Sequence, residues 1–176
     1  VTLSTPTVRR LVLLRHAKAE PGGTVPDVLR SLALSGRSQA SAVGRSLAEA
    51  EIAPEVVLCS DAVRTRQTWD LVRPGLGDVE PDVTVTPDLY TADVAQVLAL
   101  VGAVDERVRT VLVVGHEPIM SSVAEHLAGP GSESAALRQV QVGVPTASYS
   151  VLESDEPWDA WGRKTSTLLR LVRPKD

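Results

Sequence analysis

Four short apolar runs, each separated from the next by a helical pattern, constrain the fold of this chain more than any other feature. Leu11–Leu14, Val56–Cys59, Val83–Val85 and Val111–Val114 are rich in β-branched residues, are bounded by turn residues, and read as buried strands. Between them, Ser35 is placed to N-cap a helix running to about Glu51, with Ala40, Val43 and Leu47 on one core-facing stripe. Asp61 opens a second helix through about Val72, stopped by Pro74 and Gly75. A third covers about Ala92–Val101, and a fourth Pro118–Leu127, closed by Gly129 and Pro130. Two late strands follow at Ser148–Leu152 and Thr167–Val172. Alternation of this kind predicts an α/β fold: a three-layer α/β/α sandwich with a mostly parallel central sheet.

No repeat, low-complexity tract or linker divides the 176 residues, so 1–176 is expected to be one domain, with residues 1–7 a loose lead-in. A 43% hydrophobic and 23% charged composition argues against disorder. With three Trp, two Tyr and no Phe, Val and Leu must fill the core, and base stacking on aromatic platforms is excluded as a main activity. A formal charge of −4 gives no footprint for nucleic acid. The lone Cys59 has no internal disulfide partner, which points to a reducing compartment. No stretch approaches the roughly 20 apolar residues of a membrane span, and none reads as a signal sequence. The expectation is a cytoplasmic protein with no membrane partner. Val43 and Leu47 are assigned to the core. For Trp158 and Trp161, in a polar stretch, packing at the sheet edge and contact with a partner are equally open.

Two of the three histidines occupy the same kind of place. His16 follows Leu11-Val-Leu-Leu-Arg15, and His116 follows Val111-Leu-Val-Val-Gly115, each directly off a strand end. Ligands of open α/β sheets bind beyond the carboxyl ends of the strands. Either histidine alone is equally well explained as a polar strand terminator; the two together, with Arg15 beside one, favour a shared crevice. A third strand end leads into Ser60-Asp61-Ala62-Val63-Arg64, which places Arg64 in the first turn of a helix. A cation there opposes the helix dipole, so Arg64 is better explained by an anion that it shares with the helix N-terminus. Arg66 can pair with Asp70 four residues on and is read as structural. Two arginines and two histidines suit a phosphoryl group, which arginine holds bidentately and histidine can carry covalently. No carboxylate cluster suggests a metal site, and the phosphate loop of nucleotide enzymes is absent.

These residues resemble the histidine phosphatase superfamily. Leu14-Arg15-His16-Ala17 resembles its RHG/RHA signature, Ser60 through Thr68 (SDAVRTRQT) its SSPxxRxxQT motif, and Gly115-His116-Glu117-Pro118 its GHNP motif. Arg30 to Ala40 and Pro87-Asp88-Leu89-Tyr90 bring the likeness closest to the SixA-like phosphohistidine phosphatases. The resemblance implies the phosphoglycerate mutase-like fold. It also implies His16 as a nucleophile phosphorylated on a ring nitrogen, Arg15 and Arg64 holding the phosphoryl oxygens, and His116 hydrogen-bonded to the same group. No metal and no organic cofactor is implied.

Two departures stand out. Glu117 replaces the family's Asn and reads as an acid near a helix start, turned from the phosphate. Ser60-Asp61 replaces Ser-Pro and reads as another cap. His126, near the end of the fourth helix, reads as a surface cap. Ester phosphatases and mutases of this superfamily typically use a Glu in the region of Asp88–Asp93 to protonate the leaving oxygen; here only Asp88 and Asp93 flank that position, and they are the candidates for an acid. An alkoxide needs that proton, whereas an imidazole can leave already protonated. The expectation is therefore a metal-independent phosphohydrolase whose partner is a phosphate-bearing substrate, phosphohistidine in a protein foremost. The alternatives are a small-molecule phosphatase or mutase of the same superfamily, or a domain that binds phosphorylated partners without turnover.

Overall fold

The structure is a computed structural model that describes residues 7–175; the lead-in expected at 1–7 lies outside them except for Thr7. The strands are β1 (Arg9–Arg15), β2 (Val56–Ser60), β3 (Asp82–Thr86), β4 (Thr110–Gly115), β5 (Tyr149–Ser154) and β6 (Thr167–Val172). The helices are α1 (Leu34–Glu49), α2 (Val63–Val72), α3 (Val94–Gly102), α4 (Ile119–Leu127) and α5 (Ser134–Val142). All six strands share one sheet in the order β3-β2-β4-β1-β5-β6. The first four are mutually parallel, and β5 and β6 add an antiparallel edge. The mostly parallel sheet expected from the sequence is the one observed.

Both faces of the sheet are covered, as a parallel sheet requires. Along β1, Leu11 and Leu13 point to one side, where α3, α4 and α5 pack with Val97, Val101, Val123, Leu127 and Val140. Val12 and Leu14 point to the other, against Ala40, Val43 and Leu47 of α1 and Trp69 and Val72 of α2. Each such buried Val or Leu contributes about 1.5–3 kcal/mol relative to an exposed one. Trp158 and Trp161 join the first of these cores, stacked with ring centroids 5.1 Å apart. Their indole N–H groups donate to Val108 O and Glu156 O, so the question the sequence left open is settled in favour of packing.

Several local expectations are corrected. Helix α1 begins one residue earlier than Ser35, with Ala33 as its cap and no side-chain cap bond. Backbone pairing explains this. Ala33 N–H donates to Lys18 O, and Ala19 bridges Leu32, so the segment after β1 pins the helix start. Gly36 permits the approach, since a Cβ there would lie 2.0 Å from Lys18 O. Helix α2 starts after Ala62, not at Asp61, whose N–H continues the sheet by donating to Thr86 O. Strand β3 is an edge strand, with Val83 and Val85 exposed rather than buried. Helix α5 lies where no element is predicted; Glu133 caps it by accepting from Ala135 N–H and Ala136 N–H.

Candidate active site

Strands β1 and β4 are parallel neighbours with Arg15 opposite Gly115, so the next residue of each chain segment lands side by side. His16 N–H donates to Gly115 O, and the rings of His16 and His116 stand 5.4 Å apart, both side chains buried. The shared crevice expected for the two histidines therefore lies at the carboxyl end of the parallel strands.

The two imidazoles are held differently. His16 Nδ1 lies 2.7 Å from Ala17 O; a carbonyl can only accept, so Nδ1 carries the hydrogen and Nε2 keeps its lone pair. Burial first, and then the charges of Arg64 and Arg15 and neighbouring His116, push His16 down to about 3, against the pull of the Ala17 carbonyl. The ring is neutral at pH 7. His116 Nε2 shares a 2.8 Å hydrogen bond with Ser60 Oγ at the end of β2, while its Nδ1 is buried without a partner. Burial, then Arg64, push His116 down to about 4.

Arg64 enters from the first turn of α2, as the sequence places it, and its side chain is only 6% exposed. Its Nε donates to His16 Nε2 at 3.3 Å. Thr68, one turn on, accepts from Ala17 N–H and donates to Arg64 O, and Gln67 accepts from Leu32 N–H. Those two side chains tie α2 to the segment that follows β1. Arg15 Nη1 donates to Val144 O, and its Nε is buried and unpartnered; burial lowers its pKa. Glu117 is turned from the histidines, as expected: its carboxylate accepts from Ser121 N–H, Ser121 Oγ and Val144 N–H. Ser60-Asp61, by contrast, is no side-chain cap of α2. Ser60 Oγ makes only a long 3.4 Å contact with Ala62 N–H, and its short bond is to His116.

The residue that sequence reasoning missed is Asp27, in a 3-10 turn (Asp27–Leu29) between β1 and α1. Its Oδ2 accepts from Arg64 Nη2 at 3.0 Å and from the Tyr90 hydroxyl at 2.5 Å, and its Oδ1 from Arg30 Nε at 2.9 Å. Arg64 Nη1 also donates to its main-chain carbonyl. Tyr90, Arg30 and Arg64 hold the Asp27 carboxyl well below the usual carboxylate range. Tyr90 closes the group, edge-on to the His116 ring with Arg64 over its face. The anion that Arg64 called for is thus supplied in part by the chain itself. No periodicity marks Asp27; only its place three residues before Arg30 in the family-like stretch could have drawn attention to it.

Neither candidate acid is hydrogen-bonded to this group. Asp93 is the N-cap of α3 in a capping box with Gln96, and Asp88 is exposed beside Thr91 and Gln96. His126 sits at the far end of α4, and exposed Arg66 and Asp70 form no ion pair. Among the described residues, no three His, Cys, Asp or Glu side chains come together as a metal site, and no helix is long and apolar enough to cross a membrane.

Residues 11–97 match the family model for the histidine phosphatase superfamily (branch 1). An uncharacterised protein of Mycobacterium leprae is 34% identical over 92% of this chain and all of its own length. A solved SixA structure from Nakamurella multipartitia, proposed to be a phosphohistidine phosphatase, superposes with a TM-score of 0.81 at 31% identity, over 96% of this chain and 98% of that one. At 19% identity, and so as fold alone, the chain also resembles a mycobacterial glucosyl-3-phosphoglycerate phosphatase, with a TM-score of 0.63 over 96% of this chain and all of that one.

Proposed function

The chain belongs to the histidine phosphatase superfamily, and from that premise we propose that it is a metal-independent phosphatase that works through phospho-His16, with phosphohistidine in a protein as its substrate. The observation that carries this reading is the hydrogen bond from His16 Nδ1–H to Ala17 O, because it leaves the Nε2 lone pair beside the Arg64 guanidinium. A neutral, buried imidazole needs no base to become a nucleophile.

In the first step His16 Nε2 attacks phosphorus, and the bond to the leaving group breaks with its electron pair going to that group. Arg64 exchanges its long 3.3 Å contact with Nε2 for a phosphoryl oxygen. Arg15 Nε and His116 Nδ1, both buried without partners, are the further donors, which supports a role for them against charge that develops on phosphorus. Neutral His116 can donate from Nδ1 in the tautomer in which its Nε2 accepts from Ser60 Oγ–H. In the second step water attacks phospho-His16, the Nε2–P bond breaks, and inorganic phosphate leaves with the protons of the water. His16 departs as a neutral ring because Nδ1 already holds its hydrogen on Ala17 O.

The choice of a P–N substrate rests on the acids. Asp93 is engaged as a helix cap, the exposed Asp88 carboxylate makes no hydrogen bond to either histidine, and Glu117 is turned into α4 and Val144. Asp27 is held ionised. An alkoxide leaving group would find no proton donor among them. The test is phosphate release in EDTA from a phosphohistidine protein and from an alkyl phosphate, with wild type and His16→Ala. Strong preference for phosphohistidine and a dead variant are expected. Retained turnover in His16→Ala would remove the nucleophile, and preference for the alkyl ester would move the substrate to small metabolites.

A further inference from the structure

We propose that Asp27 is the specificity-determining residue for the leaving group: its carboxylate accepts a hydrogen bond from the ring N–H of the departing imidazole and thereby selects phosphohistidine in its protonated, cationic form. The inference rests on the phosphohistidine reading above and names what that reading lacks, the group that faces the leaving side.

The placement follows from Arg64. One guanidinium donates through Nε to His16 Nε2 and through Nη2 to Asp27 Oδ2, so the carboxylate stands one guanidinium away from the nucleophile. Asp27 is the more exposed of the two: His16 is a buried residue, 8% exposed, whereas the Asp27 side chain is 52% exposed. In-line transfer to a nucleophile at the floor puts the leaving group on the outer side. The exposed Asp27 carboxylate, with the Tyr90 hydroxyl bonded to it, is the group available to meet it there, where the side chain of another protein must enter.

The carboxylate has acceptor capacity for this. It offers about four lone-pair directions, and the donors on it are three: Arg30 on Oδ1, and Arg64 and Tyr90 on Oδ2. One direction on Oδ1 is left for a substrate. The charged and titratable groups that face it are Arg30, Arg64, Tyr90 and, across the Tyr90 ring, His116.

The chemistry requires such an acceptor. A ring phosphorylated on one nitrogen and unprotonated on the other must leave as an imidazolate anion, since the P–N electron pair goes to nitrogen. With the second nitrogen protonated, the same electron pair produces neutral imidazole, and no proton moves during the step. A carboxylate on that N–H favours the cationic ring. The Ala17 carbonyl does the same for phospho-His16 in the second step, so both departing rings carry a hydrogen on the nitrogen remote from phosphorus. An anion at this place also disfavours an ester, whose leaving oxygen becomes negative.

The experiment compares wild type and Asp27→Asn on a phosphohistidine protein and on an aryl phosphate, whose phenolate leaves without a proton, over pH 5.5–8.5. Loss of one charge-assisted bond predicts a fall of about 10- to 100-fold in kcat/KM for phosphohistidine, with a clearly smaller loss on the aryl phosphate, because the variant's amide oxygen can still accept from Arg64. The wild-type rate on phosphohistidine should persist above the ordinary imidazole value of about 6.5, and the variant's should decline there. Inorganic phosphate should inhibit the variant at least as well as wild type, because a competing anion on Arg64 is gone. Equal losses on both substrates, with weaker phosphate inhibition, would make Asp27 a support for Arg64 and overturn the proposal. Unchanged phosphohistidine kinetics would overturn it as well. Wild type that turns over the aryl phosphate but not phosphohistidine would refute the substrate reading itself, a result visible before any variant is made.

Discussion

Arg64 Nε points at the lone pair of His16 Nε2 across 3.3 Å, and the same guanidinium is clamped from its other side by both the carboxylate and the carbonyl of Asp27. A planar fork held at three points has one orientation. Lysine, a single ammonium on a flexible stem, cannot reproduce it. Arg64→Lys should therefore cost nearly as much as Arg64→Ala, about 100-fold or more in kcat/KM. Steady-state kinetics on both variants check this; a lysine variant within a few-fold of wild type would show that only the charge matters.

Acid should destabilise the fold through the histidine pair. Both values, about 3 for His16 and about 4 for His116, lie below the ordinary 6.5. Between those limits the unfolded chain binds more protons than the folded one, so stability is fully present above about 6.5 and is lost as pH falls toward 3. Between pH 7.5 and 4.5 the pair should account for a few kcal/mol. Urea midpoints at pH 4.5 and 7.5 for wild type and for a His16→Asn, His116→Asn double variant measure it. The variant should lose less stability on acidification, and an identical loss would contradict the assignment.

Ser60 should act as a positioning residue. Its hydroxyl is the hydrogen-bond partner of His116 Nε2, and both groups are buried. Ser60→Ala leaves that nitrogen unsatisfied, which costs about 1–3 kcal/mol. We expect kcat to fall several-fold with KM little changed, together with a shift in the His116 titration seen by NMR. A stability loss with unaltered kcat and titration would reduce Ser60 to packing.

Glu117 joins the first turn of α4 to the backbone at Val144, whose carbonyl in turn holds Arg15. Glu117→Ala strips three donors of their acceptor and should lower stability by about 1–3 kcal/mol while weakening phosphate binding through Arg15. Glu117→Gln keeps an acceptor oxygen and should recover much of both. Chemical denaturation and phosphate inhibition constants provide the comparison.

Gly36→Ala should damage the site from a distance. Its new Cβ would meet Lys18 O at 2.0 Å, so the segment that carries Asp27 would have to move off α1. Overpacking of this kind costs about 1–3 kcal/mol. Differential scanning calorimetry gives the loss, and a parallel drop in phosphohistidine turnover is expected; full stability with full activity would show that the segment moves freely.

Legibility followed range. Strand positions came from local β-branched runs, and Arg15, His16, Arg64 and His116 from their places at strand and helix ends; the structure brings His16, His116 and Arg64 into direct contact with one another or with a shared neighbour. Arg15 stands next to them, tied to Val144. Helix boundaries were less legible. Ser35 and Asp61 have the composition of caps, yet backbone pairing with Lys18 and Thr86 decided where those helices begin. Helix α5 followed a Gly/Pro-rich stretch that read as loop, although Glu133, the buried pair Ala136 and Val140, and Gly143 at positive φ are its local marks.

By itself the sequence determined the alternation of strands and helices and the identity of the groups at the strand ends, because periodicity, turn residues and side-chain chemistry are local properties. Only the tertiary structure decided the electrostatics of the site. Burial made both imidazoles neutral, the Ala17 carbonyl selected the His16 tautomer, and Ser60 was assigned to His116. The same holds for Asp27, which lies 37 residues from Arg64 and 63 from Tyr90. Desolvation and hydrogen bonds across such separations depend on how the sheet orders its strands, and no local pattern in the chain encodes them.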